Sequence, residues 1–237
     1  MITDKEYVLV EIFKETPDTY SFKFKAKDNS TVDFSPGMFM MLTYADKSTG
    51  EKISRAFSIA SPPNSDYLEF FIHLIHGRFT SKLETAKIGD IYYVSGPYGQ
   101  FKFDEASDKK VLFLAGGTGI APFVSIMRYI SSKKLGTDIV LIYSIRRPDE
   151  EIGKRYLESL ANEIKLKLAI TVTRPEPTDQ GCGETGHINE EMIKKYAPDV
   201  KDRTVYICGP IAFAQAMKEI LEGIGMPKER IKADIWG

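Results

Sequence analysis

Cysteine is almost missing from this chain: Cys182 and Cys208 are the only two among 237 residues. Two thiols exclude a disulfide scaffold, and without C-x2-C or C-x4-C-x2-C spacing no ligand set for zinc or an iron–sulfur cluster exists. Histidine is scarce too, with only His73, His76 and His187. His73 and His76 stand three apart in a strand-like segment and point to opposite faces, so no shared metal is expected. Neither sign of charge dominates: 32 Lys plus Arg against 33 Asp plus Glu leave a formal net charge of −1, so no overall field recruits nucleic acid or an anionic membrane. Apolar runs stay well short of the roughly 20 residues that cross a bilayer as a helix. The opening Met-Ile-Thr-Asp-Lys-Glu-Tyr also lacks the basic and apolar regions of a secretion signal. The expectation is a cytoplasmic globular protein with length for one large or two small domains.

What is present falls into two grammars. From residue 5 to about 105 the apolar residues recur with period two, as in Tyr20-Ser-Phe-Lys-Phe-Lys-Ala-Lys27, and Tyr67 to Ile75 is a second β-rich run. Turn signals at Lys27-Asp-Asn-Ser30, Ser35-Pro-Gly37, Ser61-Pro-Pro-Asn-Ser65 and Ile88-Gly-Asp90 separate them. About six short strands at this spacing predict a small antiparallel β-barrel. After the polar stretch Asp104 to Lys110, buried apolar strands alternate with helical segments. Strands are expected at 111–115, 139–145, 166–173 and 204–208, with helices at 122–132, 150–163, 188–196 and 211–223. That order predicts an α/β unit with a parallel sheet and flanking helices. The boundary is placed near residue 106, giving a barrel over 1–106 and an α/β unit over 107–237.

Gly116-Gly-Thr-Gly119 follows a buried strand and precedes an amphipathic helix, a context in which glycines bring backbone N–H groups close to a phosphate. Pro122 stands where the dinucleotide fingerprint has its third glycine, and proline is tolerated in a first helical turn. From these residues alone the turn reads equally as a cofactor site or as a structural strand-to-helix turn.

Five segments then occur in a familiar order: Arg55-Ala-Phe-Ser58, Gly77-Arg-Phe-Thr-Ser81, Gly96-Pro-Tyr-Gly99, Gly116-Gly-Thr-Gly-Ile-Ala-Pro122 and Cys208-Gly-Pro210. Over nearly its whole length the chain resembles the ferredoxin–NADP reductase family. The resemblance implies a flavin, FAD by the family's habit, in the barrel and NADP or NAD on the sheet. It implies that Arg55, beside Ala56, neutralises the flavin diphosphate, that Phe57 stacks on the isoalloxazine ring, and that Ser58 lies near flavin N5. Gly77, Arg78, Phe79, Thr80 and Ser81 resemble the second flavin segment. Gly117, Thr118 and Gly119 would face the nicotinamide dinucleotide's diphosphate, with Cys208, Gly209 and Pro210 at the strand end bordering the nicotinamide. The ending Asp234-Ile-Trp236 resembles the family's acidic-x-aromatic tail, with Trp236 a displaceable lid over the flavin and Asp234 beside it.

Arg146, Arg147 and Arg174 follow sheet strands where an NADP 2′-phosphate needs basic residues, although Asp149-Glu-Glu151 comes immediately after. NADPH is preferred on that ground. The activity implied is hydride exchange between the nicotinamide and flavin, then single electrons to a separate carrier such as ferredoxin or flavodoxin. Two other readings stay open: an NADH-dependent reductase component of an oxygenase, and a flavin electron-transfer subunit that does not turn over pyridine nucleotide. A nucleotide-binding protein without flavin leaves the barrel unexplained.

Overall fold

In the computed structural model, residues 4–46, 49–177, 179 and 183–236 are described, Trp236 by its backbone alone. Alternation in the N-terminal part becomes six strands: β1 Lys5–Lys14, β2 Thr19–Ala26, β3 Phe39–Ala45, β4 Lys52–Ser58, β5 Leu68–His73 and β6 Ile91–Tyr98. They form an antiparallel sheet in the order β4-β3-β6-β1-β2-β5. The chain leaving β4 curls onto the far edge strand, where Ala60 N–H donates to the Glu69 carbonyl of β5 at 2.8 Å. In β2, Phe22, Phe24 and Ala26 are buried while Lys23 and Lys25 face outward, as the sequence pattern requires. A short helix, α1 (Thr80–Glu84), lies between β5 and β6.

Strand β5 breaks the alternation because it is buried on both faces. Leu68, Phe70 and Ile72 join the barrel core, whereas Phe71 joins a second core that belongs mainly to the C-terminal part. That second core also takes in Ala60, Phe101 and Phe103 beside Phe113, Phe123 and Tyr206. Apolar packing is therefore continuous from barrel to sheet.

The C-terminal strands are β7 Lys110–Gly116, β8 Asp138–Ile145, β9 Leu166–Val172, β10 Glu184–Thr185, β11 Thr204–Pro210 and β12 Ile231–Trp236. All pair in parallel, in the order β10-β9-β8-β7-β11-β12. Helices α2 Ala121–Ser132, α3 Lys154–Glu163, α4 Glu190–Tyr196 and α5 Ile211–Ile224 flank it. Leu112 and Leu114 point into the core that receives α4 and α5, and Val111 and Phe113 into the one shared with α2, α3 and the barrel. The four expected strands and four expected helices are present. Helix α3 starts at Lys154 rather than 150 because Pro148–Glu150 form a 3-10 turn and Gly153 adopts φ +74°. Strands β10 and β12 are additional. β10 has two residues, and β12 is an edge strand of mixed polarity, so neither has the uninterrupted apolar run of a central parallel strand. No helix among the described residues is long and apolar enough to cross a membrane.

Strand order reverses between β7 and β11. Successive connections step outward from β7 through β8 to β9 on one side, then return to β11 and β12 on the other. At such a reversal the loops after neighbouring strands diverge and open a crevice at the carboxyl edge of the sheet.

Candidate functional site

The loop after β7 is the glycine turn. Gly117 adopts φ +55°, and a Cβ there would meet nothing within 4 Å, so the backbone faces open space. Its carbonyl accepts the Tyr143 hydroxyl at 3.1 Å, and that hydroxyl accepts from Ile152 N–H at 3.3 Å. Gly119 is glycine for another reason: a Cβ would stand 2.2 Å from the Cys208 carbonyl oxygen. This glycine lets the turn pack on the end of β11, while Gly117 and Thr118 line the crevice. Pro122 falls in the first turn of α2, where no N–H is needed.

The crevice widens into a cleft of about 1140 Å³ between barrel and sheet. From the barrel, Arg55, Ala56, Phe57 and Ser58 line it at the end of β4, with Gly77, Arg78, Phe79 and Thr80 before and within α1. Phe79 is only 1% exposed. It packs beneath Phe57, with ring centroids 5.6 Å apart, so a buried ring stiffens the apolar platform above it. Thr80 Oγ1 accepts from Gly77 N–H at 2.9 Å and Ser81 Oγ donates to the Gly77 carbonyl at 2.8 Å, so these hydroxyls first shape their own turn. From the sheet come Arg146, Arg174 and Pro210, beside Ile235 of β12. Among the described residues, Ser81, Gly119, Arg147, Cys208 and Gly209 lie off the cleft wall.

The five sequence-selected arginines separate by partner. Arg78 is bound to Glu51 and Arg147 to Glu176, the latter at 3.0 Å. Arg55 is exposed and spends one Nη1–H on the Ser54 carbonyl at 2.8 Å. Arg55, Arg146 and Arg174 have no carboxylate partner among the described residues, yet all three line the same cleft. Backbone pairing sets the last two side by side, Arg174 N–H donating to the Arg146 carbonyl at 2.8 Å. Three guanidiniums free of carboxylate partners in one cleft that also exposes open glycine backbone fit phosphorylated ligands and thus both implied dinucleotides.

Residues 176 positions apart meet where barrel and sheet join. The Ser58 hydroxyl donates to Asp234 Oδ2 at 3.3 Å, and Cys208 Sγ lies 4.0 Å from the same oxygen. Register explains the second contact, since Cys208 and Asp234 are paired neighbours on β11 and β12. Pro210 pairs with Trp236, which brings the tail to the carboxyl edge of the sheet; the Trp236 side chain and Cys182 lie outside the described residues. Burial pushes the Asp234 carboxyl above its ordinary value of 3.8, with the Ser58 hydrogen bond opposing. Because the folded-state value exceeds the unfolded one, this group's favourable contribution is complete below about pH 3.8 and is lost as pH rises through the elevated value. Asp234→Asn is therefore expected to melt higher than the parent at pH 7, by about 2–4 °C for each kcal/mol recovered. The gain should vanish as the pH approaches 4. Equal melting temperatures at pH 7 would show that the carboxylate carries no burial penalty.

Sequence reasoning did not find Tyr143, Glu150 or the charged groups beneath the cleft. Tyr143 is fully buried within the apolar run of β8, where its hydroxyl is the visible hint. Glu150 lines the same cleft as Arg146, and in the sequence it stood out only as one of the three acids that follow the arginine pair.

A profile described as an oxidoreductase FAD-binding domain matches residues 6–103, and one described as an oxidoreductase NAD-binding domain matches residues 113–219. The glycine betaine monooxygenase reductase subunit of Pseudomonas aeruginosa is 32% identical over 233 residues. The match covers 96% of this chain and 63% of that protein, so the chain spans less than two thirds of that relative. The flavodoxin/ferredoxin–NADP reductase of Rhodobacter capsulatus is 33% identical over 222 residues, covering 86% of this chain and 81% of the relative. In fold, the FAD/NAD-binding domain of a nitric oxide dioxygenase from Vibrio cholerae superposes with a TM-score of 0.89 at 18% identity, covering 98% of both chains.

Proposed function

The chain belongs to the ferredoxin–NADP reductase family of flavin reductases, oxidoreductases that join an FAD-binding domain to an NAD-binding domain, and from that premise we propose that it is an NADPH-dependent flavoprotein reductase serving a separate one-electron carrier. The observation that carries this reading is the trio of unpaired arginines, Arg55 on the barrel and Arg146 with Arg174 on the sheet, facing one cleft. One cation suits the flavin diphosphate, and two adjacent cations suit the 2′-phosphate of NADP. FAD, once bound, supplies the conversion of a hydride pair into single electrons.

The chain's own residues then have defined tasks. Phe57, stiffened from below by Phe79, offers the flavin ring an apolar face, and Ser58 offers a hydroxyl at its edge. Gly117 and Thr118 hold the nucleotide diphosphate, while Gly119, Gly209 and buried Cys208 keep the ends of β7 and β11 close enough to form its seat. Pro210 borders the nicotinamide. The Ser58–Asp234 hydrogen bond ties barrel to sheet where they meet, and burial raises the proton affinity of that carboxyl above the ordinary. Trp236 would serve as a displaceable ring over the flavin, and Gly77 with Thr80 shapes the second flavin segment.

The carrier is proposed to be ferredoxin or flavodoxin. A second reading is an NADH-dependent reductase component of an oxygenase, which the Pseudomonas aeruginosa relative's role and Glu150 in the cleft favour, because an acid at this place suits the 2′-hydroxyl of NAD. Anaerobic visible spectroscopy separates them. The purified protein is expected to carry a flavin band that bleaches at an NADPH concentration about tenfold or more below that needed with NADH. Preference for NADH selects the second reading, a band untouched by either nucleotide removes the reductase activity, and no flavin uptake after reconstitution removes the assignment of the barrel.

A further inference from the structure

Beneath the cleft, the seam between barrel and sheet contains a buried charge cluster that the reaction described above leaves unused. Glu69 of β5 is 0% exposed. Its Oε1 accepts Ser21 Oγ at 2.6 Å, Tyr156 OH at 2.8 Å and Arg155 Nη2 at 3.2 Å; its Oε2 accepts Arg128 Nη1 at 2.8 Å. Glu15, following β1, stands 3.0 Å from Arg155 Nη2 and accepts Gly153 N–H at 3.1 Å. Aromatic faces cover the cations: Arg155 lies 3.9 Å from the Phe13 ring centroid and Arg128 4.3 Å from that of Tyr156. Both carboxylates come from the barrel and both guanidiniums from helices of the sheet.

Such a cluster is a poor device for stability alone, since desolvation offsets most of the attraction and an apolar seam serves as well. What it provides is a single geometry. An oily interface tolerates sliding, whereas carboxylate oxygens shared among forked, fixed donors do not.

The geometry also reaches both halves of the candidate site. Arg128 Nη1 donates to the Ala60 carbonyl at 3.1 Å and Ser125 Oγ to the Ser61 carbonyl at 2.7 Å, gripping the chain just past Ser58. Glu69 holds the same segment through its backbone, with Ala60 N–H on its carbonyl at 2.8 Å and Ser61 Oγ accepting its N–H at 3.2 Å. On the other side, Glu15 fixes Gly153; the neighbouring Ile152 N–H donates to the Tyr143 hydroxyl that holds Gly117.

We propose that Glu69, with Arg128, Arg155 and Glu15, is an interdomain latch whose task is positioning: it sets Ser58 on the barrel against Asp234 and the glycine turn on the sheet. The proposal rests on the reading of these residues given above. None of the latch groups is assigned contact with flavin or nucleotide.

The test uses flavin-loaded protein and two variants, Glu69→Gln and Arg155→Met; the second removes a partly exposed group and keeps the question open to measurement if the first fails to fold. Calorimetry should show one unfolding transition in both the parent and Arg155→Met, since the shared apolar core persists, while hydrogen exchange at Ala60 N–H and Gly153 N–H should quicken about tenfold in the variant. Stopped-flow reduction by NADPH should slow about tenfold in Arg155→Met, mainly in kcat, because small misplacements of reacting groups are costly. Reduction of the same flavin by dithionite, which needs no alignment of the two halves, should keep its rate, and flavin content should stay at that of the parent. Unchanged NADPH rates with unchanged exchange at these two amides would overturn the latch, and so would equal slowing with both reductants. If the parent flavin responds to neither NADPH nor NADH, the reductase reading fails, and exchange at the Ala60 and Gly153 amides still decides whether the latch exists.

Discussion

Gly119→Ala is expected to lower the melting temperature by about 6–12 °C, the equivalent of roughly 3 kcal/mol in a chain of this size. The added methyl would lie 2.2 Å from the Cys208 carbonyl oxygen, 2.5 Å from its carbon and 2.8 Å from Gly209 N. All three are backbone atoms of the β11 end, so no side chain can swing aside. The turn and the strand must part, which also moves Gly117 and Thr118 out of register with the rest of the cleft. The rate of flavin reduction by NADPH should fall about 100-fold for a displacement near 1 Å. Gly117→Ala provides the contrast. No atom lies within 4 Å of its Cβ, so its cost is the left-handed φ of +55°, about 1–2 kcal/mol. Gly119→Ala melting with the parent would disprove the packing role given to this glycine.

Neutralising Arg146 and Arg174 together, as Arg146→Ala with Arg174→Ala, is expected to cut the NADPH-over-NADH ratio of kcat/KM about 100-fold. A hydrogen bond to a charged group contributes about 1.5–3 kcal/mol. Both side chains are exposed at the cleft, and solvent screening takes each down to about 1.4 kcal/mol, or tenfold. The loss should fall almost wholly on NADPH, and the parent's preference should shrink as salt rises. Arg147→Ala should leave the ratio alone, since Arg147 already belongs to Glu176. If the double variant keeps its preference, the 2′-phosphate is held elsewhere. If the parent prefers NADH, Glu150→Gln becomes the informative change, with NADH expected to weaken.

Most of the fold could be read in the sequence because each half obeys one period. Phe22, Phe24 and Ala26 alternate with lysines, and Val111 to Ala115 is apolar throughout since both faces of β7 are covered. The glycine turn was legible as a turn, but its two glycines look alike in sequence and differ only in space: one leaves room beside the cleft, the other makes room for a carbonyl. Likewise five arginines looked equivalent until Glu51 and Glu176 claimed two of them. Pairing over long separations leaves no local period, so the Ser58–Asp234 contact was not legible in the sequence: the resemblance gave each residue a place but did not join them. Glu69 left one trace, a carboxylate inside the apolar run Leu68 to Ile72, and its partners on α2 and α3 left none.

The core that runs unbroken from Ala60, Phe71, Phe101 and Phe103 to Phe113, Phe123 and Tyr206 has a consequence for modularity. The two halves are distinct in topology, but neither owns a complete interior. A sheet fragment would present the bare faces of Phe123 and Tyr206, and a barrel fragment would present Phe71 together with the uncompensated charge of Glu69. The heritable unit is consequently the pair. Such an assembly can be fused to other proteins at its outer surfaces, as one cassette, far more readily than its halves can be exchanged with those of another reductase.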